Sequence, residues 1–149
     1  MQGEAHQAGL FLAGLLRQIV ASGQPLPRPA CLIAGGETTV TLRPPTGGQR
    51  PAGLGGRNQE LALGAVSELA DLPNVLLVAL ATDGGDGPTD AAGAVVTGET
   101  LQRAQQLGLD PADFLRRNDA YHFFAALDDL LKPGPTQTNV NDLAFLFAL

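Results

Sequence analysis

Hydrophobic positions change period several times along this chain, and each change marks an element. Between residues 4 and 21, Leu12, Leu15, Leu16 and Ile19 recur at spacings of three and four, which predicts an amphipathic helix ended by Ser22-Gly23. Pro25, Pro27 and Pro29 then keep the backbone extended as a linker. Cys31-Leu32-Ile33-Ala34 and Thr38-Thr39-Val40-Thr41-Leu42 are β-prone runs around Gly35-Gly36-Glu37, which predicts a tight hairpin. After a proline- and glycine-rich loop from Arg43 to Gly56, a helical pattern returns with Leu61, Leu63, Val66 and Leu69. Val75-Leu76-Leu77-Val78-Ala79-Leu80 is the most continuous apolar run and reads as a buried strand.

The second half alternates in the same way. Gly93-Ala94-Val95-Val96 predicts a short strand, and Thr100 to Leu107 a short helix closed by Gly108. Asp110-Pro111 opens another helix, with Asp as cap and Pro at the first helical position. Tyr121, Phe124, Leu127 and Leu131 fall on one face of a further amphipathic helix, with Asp128 and Asp129 on its solvated side, and Leu143 to Leu149 reads as a last strand. Helices alternating with strands over 149 residues define a single α/β domain, expected as a layered α/β/α arrangement with a mixed sheet.

Composition narrows the function. A formal charge of −6 argues against nucleic-acid and anionic membrane surfaces, which both ask for a basic patch. No segment approaches the ~20 apolar residues of a membrane span, and the first residues lack the form of a secretory signal, so the expected compartment is the cytoplasm. Lys132 is the single lysine and is followed by Pro133, so there is no Walker A loop. Cys31 is the single cysteine, which excludes an internal disulfide and a cysteine-based zinc site, and its apolar surroundings predict a buried, inert thiol. His6 and His122 have no ligand-like spacing and read as ordinary polar residues.

Chemistry concentrates in three places. Thr82-Asp83-Gly84-Gly85-Asp86-Gly87-Pro88-Thr89-Asp90 follows the apolar strand and carries three carboxylates within eight residues. Such a cluster has to be spread apart, protonated or held around a cation, and magnesium suits one or two carboxylates completed by phosphate oxygens. The competing reading is a turn, with Asp90 or Thr89 as a cap. Gly55-Gly56-Arg57-Asn58-Gln59-Glu60 is a glycine-rich entry to a helix inside a locally cationic stretch with Arg43, Arg50 and Arg57, suited to an anion such as phosphate or to simple N-capping. It is not a dinucleotide fingerprint, because Asn58 stands where the third glycine belongs. Asn139 and Asn141 are two apart, suited to hydroxyls or phosphate oxygens if the backbone is extended, or to Asx-turns. Glu37, held on a turn, is a candidate for accepting a substrate hydroxyl proton.

Together with Gly35-Gly36-Glu37-Thr38-Thr39-Val40 and Thr138-Asn139-Val140-Asn141-Asp142, the acidic loop and the glycine-rich helix entry resemble, in order, the motifs of the MOFRL domain. This is the carboxy-terminal domain of glycerate 2-kinases, some of which carry the label hydroxypyruvate reductase. The resemblance runs from about Cys31 to the end, and residues 1–29 look like the leading helix and linker that precede the domain. It implies ATP- and Mg2+-dependent phosphorylation of glycerate, or a related hydroxy acid, to 2-phosphoglycerate in a cleft between two domains. It also implies that the nucleotide-binding amino-terminal domain, in cis or in trans, is the missing partner and that this chain is inactive alone. On that resemblance Asp83 and Asp86 fall to the magnesium shell or to orienting the attacking hydroxyl. Arg57 and Asn58 fall to the phosphate or carboxylate, Asn139 and Asn141 to hydroxyls, and Glu37 to a weaker base role. A hydroxypyruvate reductase and a non-catalytic module binding a phosphorylated metabolite are the rival functions, and association into a homodimer is left open.

Overall fold

The computed structural model describes residues 1–42 and 53–149 of the chain. Five helices and five strands are formed in the order α1 (Ala5–Ser22), β1 (Ala30–Gly36), α2 (Arg57–Leu69), β2 (Val75–Ala81), β3 (Gly93–Thr97), α3 (Thr100–Gln106), α4 (Pro111–Arg116), α5 (Ala120–Leu127), β4 (Leu130–Leu131) and β5 (Asp142–Ala148). The strands make one sheet in the order β1-β5-β2-β3-β4. The expected α/β class is present, yet every adjacent pair is antiparallel, so the sheet is not mixed.

The helices cover one face of that sheet, giving two layers where three were expected. Strands β2 and β5 alternate strictly between buried and half-buried positions, as one covered face requires. Leu77, Ala79, Ala144 and Leu146 point inward against Leu16 and Ile19 of α1 and Leu61 and Val66 of α2, all buried. The two helices approach closely because they cross at glycines. A Cβ on Gly9 would stand 1.9 Å from the Leu61 carbonyl oxygen, and one on Gly64 2.3 Å from that of His6. Helix α1 is therefore part of the core.

Three local expectations give way. The run from Thr38 to Leu42 does not fold back on β1 as a hairpin. Instead β1 pairs along its whole length with β5, and Thr39 bonds the chain start, accepting from Ala5 N at 2.8 Å and donating to Gly3 O at 2.8 Å. Helix α5 stops at Leu127, because Asp128 takes a left-handed conformation at φ 59°, and Leu131 belongs to β4. Asp129 is not a solvated surface residue either, since both its oxygens accept from Arg103 Nη1 at 3.0 and 2.9 Å. No described helix is long and apolar enough to cross a membrane.

Candidate functional site

Strands β1 and β2 run the same way on either side of β5. Their last residues, Gly36 and Ala81, lie opposite Asp142, the first residue of β5. Glu37, Asp142 and the Thr82-Asp83 pair consequently share one edge of the sheet, and the N-terminus of α2 brings Arg57 to the same place. Nη1 of Arg57 donates to Glu37 Oε1 at 2.6 Å, while Nε lies 3.3 Å from Asp142 Oδ2 and Nη2 donates to Oδ1 at 3.4 Å. One guanidinium thus ties an exposed carboxylate to one that is only 2% exposed. Burial opposes the charge on Arg57, but the attraction of Asp142 and Glu37 outweighs it and raises the pKa above the ordinary arginine value.

The acidic loop splits into two roles. Asp86 turns inward and is 1% exposed. Its Oδ1 accepts from the Asn58 backbone N–H at 3.0 Å and side-chain amide at 3.2 Å, and its Oδ2 accepts from Gln59 N at 2.9 Å. A carboxylate from a distant loop thereby caps α2, whose own cap residue, Gly56, offers no side chain. Gly56 must stay a glycine, because a Cβ there would stand 2.3 Å from Asp86 Cγ. Burial raises the Asp86 pKa above its ordinary value, the Asn58 and Gln59 donors pull it back, and nearby Asp142 adds to the rise. The helix entry expected to hold phosphate is thus already filled by an anion of the chain itself.

Asp83 faces solvent, with Oδ1 accepting from Gly85 N at 3.1 Å. The carboxy-terminal loop holds this segment from the other side. Thr82 Oγ1 donates to Asn141 O at 2.8 Å and accepts from Val140 N at 2.8 Å, and Thr136 N donates to Asp83 O at 3.2 Å. Asn139 Oδ1 accepts from Asn141 N at 3.0 Å and Asn141 has φ 66°, so this pair forms the Asx-turn and not an extended stretch. Both asparagines are exposed beside Asp142.

Of the expected residues, Glu37, Arg57, Asp83, Asn139 and Asn141 reach the surface of one edge, whereas Asn58 and Asp86 are buried beneath it. Asp142 completes the arrangement and was not among the expected site residues, although it closes the motif Thr138 to Asp142. Asp90 does not cap a helix: it accepts from Tyr121 Oη at 2.8 Å and pairs with Lys132 at 3.1 Å. Cys31 is exposed and not buried, since alternate residues of β1 point away from the core. Arg43 and Arg50 lie outside the described residues. An open cleft lined by Thr38, Val40, Gly55, Arg57 and Pro88 adjoins the Arg57 cluster. Among the described residues the edge carries more acid than base, with Glu37 and Asp142 on one guanidinium and Asp83 exposed just beyond β2. Among the described residues no three His, Cys, Asp or Glu side chains are grouped to hold a metal by themselves.

A two-layer α/β domain with an anchored arginine and a carboxylate loop at one sheet edge is the class defined so far. The model of the MOFRL family matches residues 30–142, and the chain belongs to that family. It is 45% identical to D-glycerate 2-kinase of Thermotoga maritima over 140 residues, which is 94% of this chain and 32% of the relative. It is 41% identical to a putative hydroxypyruvate reductase of Agrobacterium vitis over 96% of this chain and 36% of that one. The crystal structure of glycerate kinase from Thermotoga maritima superposes on the whole chain with a TM-score of 0.93 at 42% identity, covering 34% of that protein. The chain spans about a third of the length of the curated relatives it matches.

Proposed function

We propose that this chain supplies one wall of a glycerate 2-kinase site, in which ATP phosphorylates glycerate to 2-phosphoglycerate, and that a further domain supplies the opposite wall. The observation that carries this reading is the clustering of Glu37, Arg57, Asp142 and Asp83 on one exposed edge of a chain a third as long as its kinase relatives. In the transfer, an oxygen of the acceptor hydroxyl bonds the γ-phosphorus, the bond to ADP breaks, and the hydroxyl proton leaves to a base. Asp83, solvent-facing just beyond β2, would orient that hydroxyl or hold Mg2+. Bound Mg2+ would neutralise charge on the transferred phosphoryl group. Asp86 does not fit a metal, because three N–H donors already occupy its oxygens, and its role is to position Asn58 and α2.

Arg57 retains part of its surface for a substrate carboxylate or phosphate, while Glu37 and Asp142 fix its direction. Asn139 and Asn141 offer amides to hydroxyls beside it. Among the described residues this edge carries more carboxylates than cations, so further cations would be needed to hold ATP, and the opposite wall is one source of them. The one lysine is tied to Asp90 and Tyr121 at the surface. Reduction by a nicotinamide cofactor is disfavoured, since the helix entry that would seat a pyrophosphate holds Asp86.

The test is complementation. The purified chain should transfer no phosphate from ATP to glycerate, and adding the remaining two thirds of the Thermotoga enzyme as a separate polypeptide should restore turnover. Glycerate or ATP binding by the chain, with no turnover in the mixture although the two polypeptides associate, would favour a binding module instead.

A further inference from the structure

Asp119 stands at the N-cap position of α5, where an aspartate normally accepts an N–H of its own helix, yet its side chain makes no such bond. It is 7% exposed and reaches back 65 residues instead, where Oδ1 accepts from Leu54 N at 2.9 Å. His122 Nδ1 lies 2.5 Å from the same oxygen and Arg117 Nη2 3.3 Å from Oδ2, so the carboxylate is held on both sides. Tyr121 N answers in the reverse sense, donating to Leu54 O at 2.9 Å. Leu54 is three residues before Arg57, and only Gly55 and Gly56 stand between them. Asp86 grips the chain just after the arginine, at Asn58 N and Gln59 N. Arg57 is thus carried on a short segment pinned at each end by a buried carboxylate from a distant part of the chain.

We propose that Asp119 is a positioning residue for Arg57, holding Leu54 so that the Gly55-Gly56 joint cannot turn and the guanidinium meets a substrate carboxylate or phosphate in one place. The proposal rests on the reading of Arg57 as the anion-binding group of a kinase wall. Two glycines in a row leave the backbone its widest choice of φ and ψ, so the direction of the following residue has to be set from outside. An aspartate serving α5 alone would cap α5, and this one is spent on Leu54. Its neighbour Asn118 works in the same sense, donating its side-chain amide to Glu60 Oε2 at 3.0 Å, three residues beyond Arg57. Displacing a binding group by ~1 Å can cost on the order of 100-fold in rate, so a remote bond of this kind reaches the chemistry.

Two readouts test the positioning: amide hydrogen exchange of the intact chain, and the kinetics of a chimera in which it replaces the matching third of the Thermotoga enzyme. Asp119→Ala should speed exchange at Leu54 and, through the loosened glycines, at Asn58 about tenfold or more, while amides of β2 and β5 keep the parental rate. In the chimera it should raise KM for glycerate or ATP about tenfold, whereas mere loss of folded protein lowers kcat and leaves KM alone. Asp119→Asn keeps an acceptor oxygen for Leu54 and should restore both readouts. Asp119→Ser can cap α5 but ends a bond short of Leu54, so it should behave as Asp119→Ala and serves if that variant fails to fold. Faster exchange confined to Leu54, or an unchanged KM in an active chimera, overturns the proposal. A parent chimera without turnover sinks the kinase reading instead, and the exchange rate at Asn58 then decides the positioning.

Discussion

Asn58 and Asp86, 28 residues apart, are joined twice: a single carboxylate oxygen accepts the backbone N–H of Asn58 at 3.0 Å and its side-chain amide at 3.2 Å. The first turn of α2 thus takes its cap from the loop after β2, and Arg57 owes its direction partly to a residue it does not touch. Folding of the acidic loop and presentation of the arginine become one event.

Removing that cap should therefore cost more than an ordinary surface change. Asp86→Ala leaves the Asn58 and Gln59 N–H groups without an acceptor in a buried place, and we expect a loss of about 2 to 3 kcal/mol. Urea denaturation of the purified chain measures it. A loss below ~0.5 kcal/mol would mean that water replaces the carboxylate.

The same carboxylate gives a pH signature. Burial, opposed by the Asn58 and Gln59 donors and aided by Asp142, raises its pKa above the ordinary 3.8, so the folded state holds this proton more tightly than the unfolded chain. Its contribution to stability is then full below the unfolded value and is lost as pH rises through the folded one. The unfolding free energy of the parent minus that of Asp86→Asn should fall as pH increases upward from 3.8. A difference flat across that window contradicts the shift.

Arg57 bridges two carboxylates of unequal burial, and its variants should separate them. Glu37 is 55% exposed, so Glu37→Gln should cost under ~1 kcal/mol. Arg57→Ala strands the buried Asp142 carboxylate and should cost ~2 kcal/mol, less than a fully buried pair because the arginine side chain is itself 39% exposed. Adding Asp142→Asn to Arg57→Ala should recover part of that loss, as read from denaturation midpoints in a double-mutant cycle.

Elements with a strong local period were legible in the sequence. The leucine stripe of α1, the apolar run of β2 and the Asp110-Pro111 start of α4, where Asp110 accepts from Ala112 N at 3.0 Å, lie where the pattern placed them. What escaped depends on distant partners. Nothing near Gly35-Gly36 tells that β1 will pair with a strand more than a hundred residues later, so a local hairpin is the natural reading. Likewise Asp83 and Asp86 look alike in one loop, and only the arrival of α2 above Asp86 separates a buried cap from an exposed carboxylate. Asp142 was hidden by its place at the boundary between a polar loop and an apolar strand, where its pairing with Arg57 is an event of tertiary structure.

An edge that forms one wall of a phosphoryl-transfer site should work in the frame of a relative. The matching third of Thermotoga D-glycerate 2-kinase is replaced with this chain and ATP-dependent phosphorylation of glycerate is measured, alone and with Asp83→Asn. We predict an active chimera whose kcat falls about 100-fold or more on that substitution, while its fold and melting behaviour persist. A folded chimera that transfers no phosphate, or one indifferent to Asp83→Asn, would mean that this edge is not such a wall.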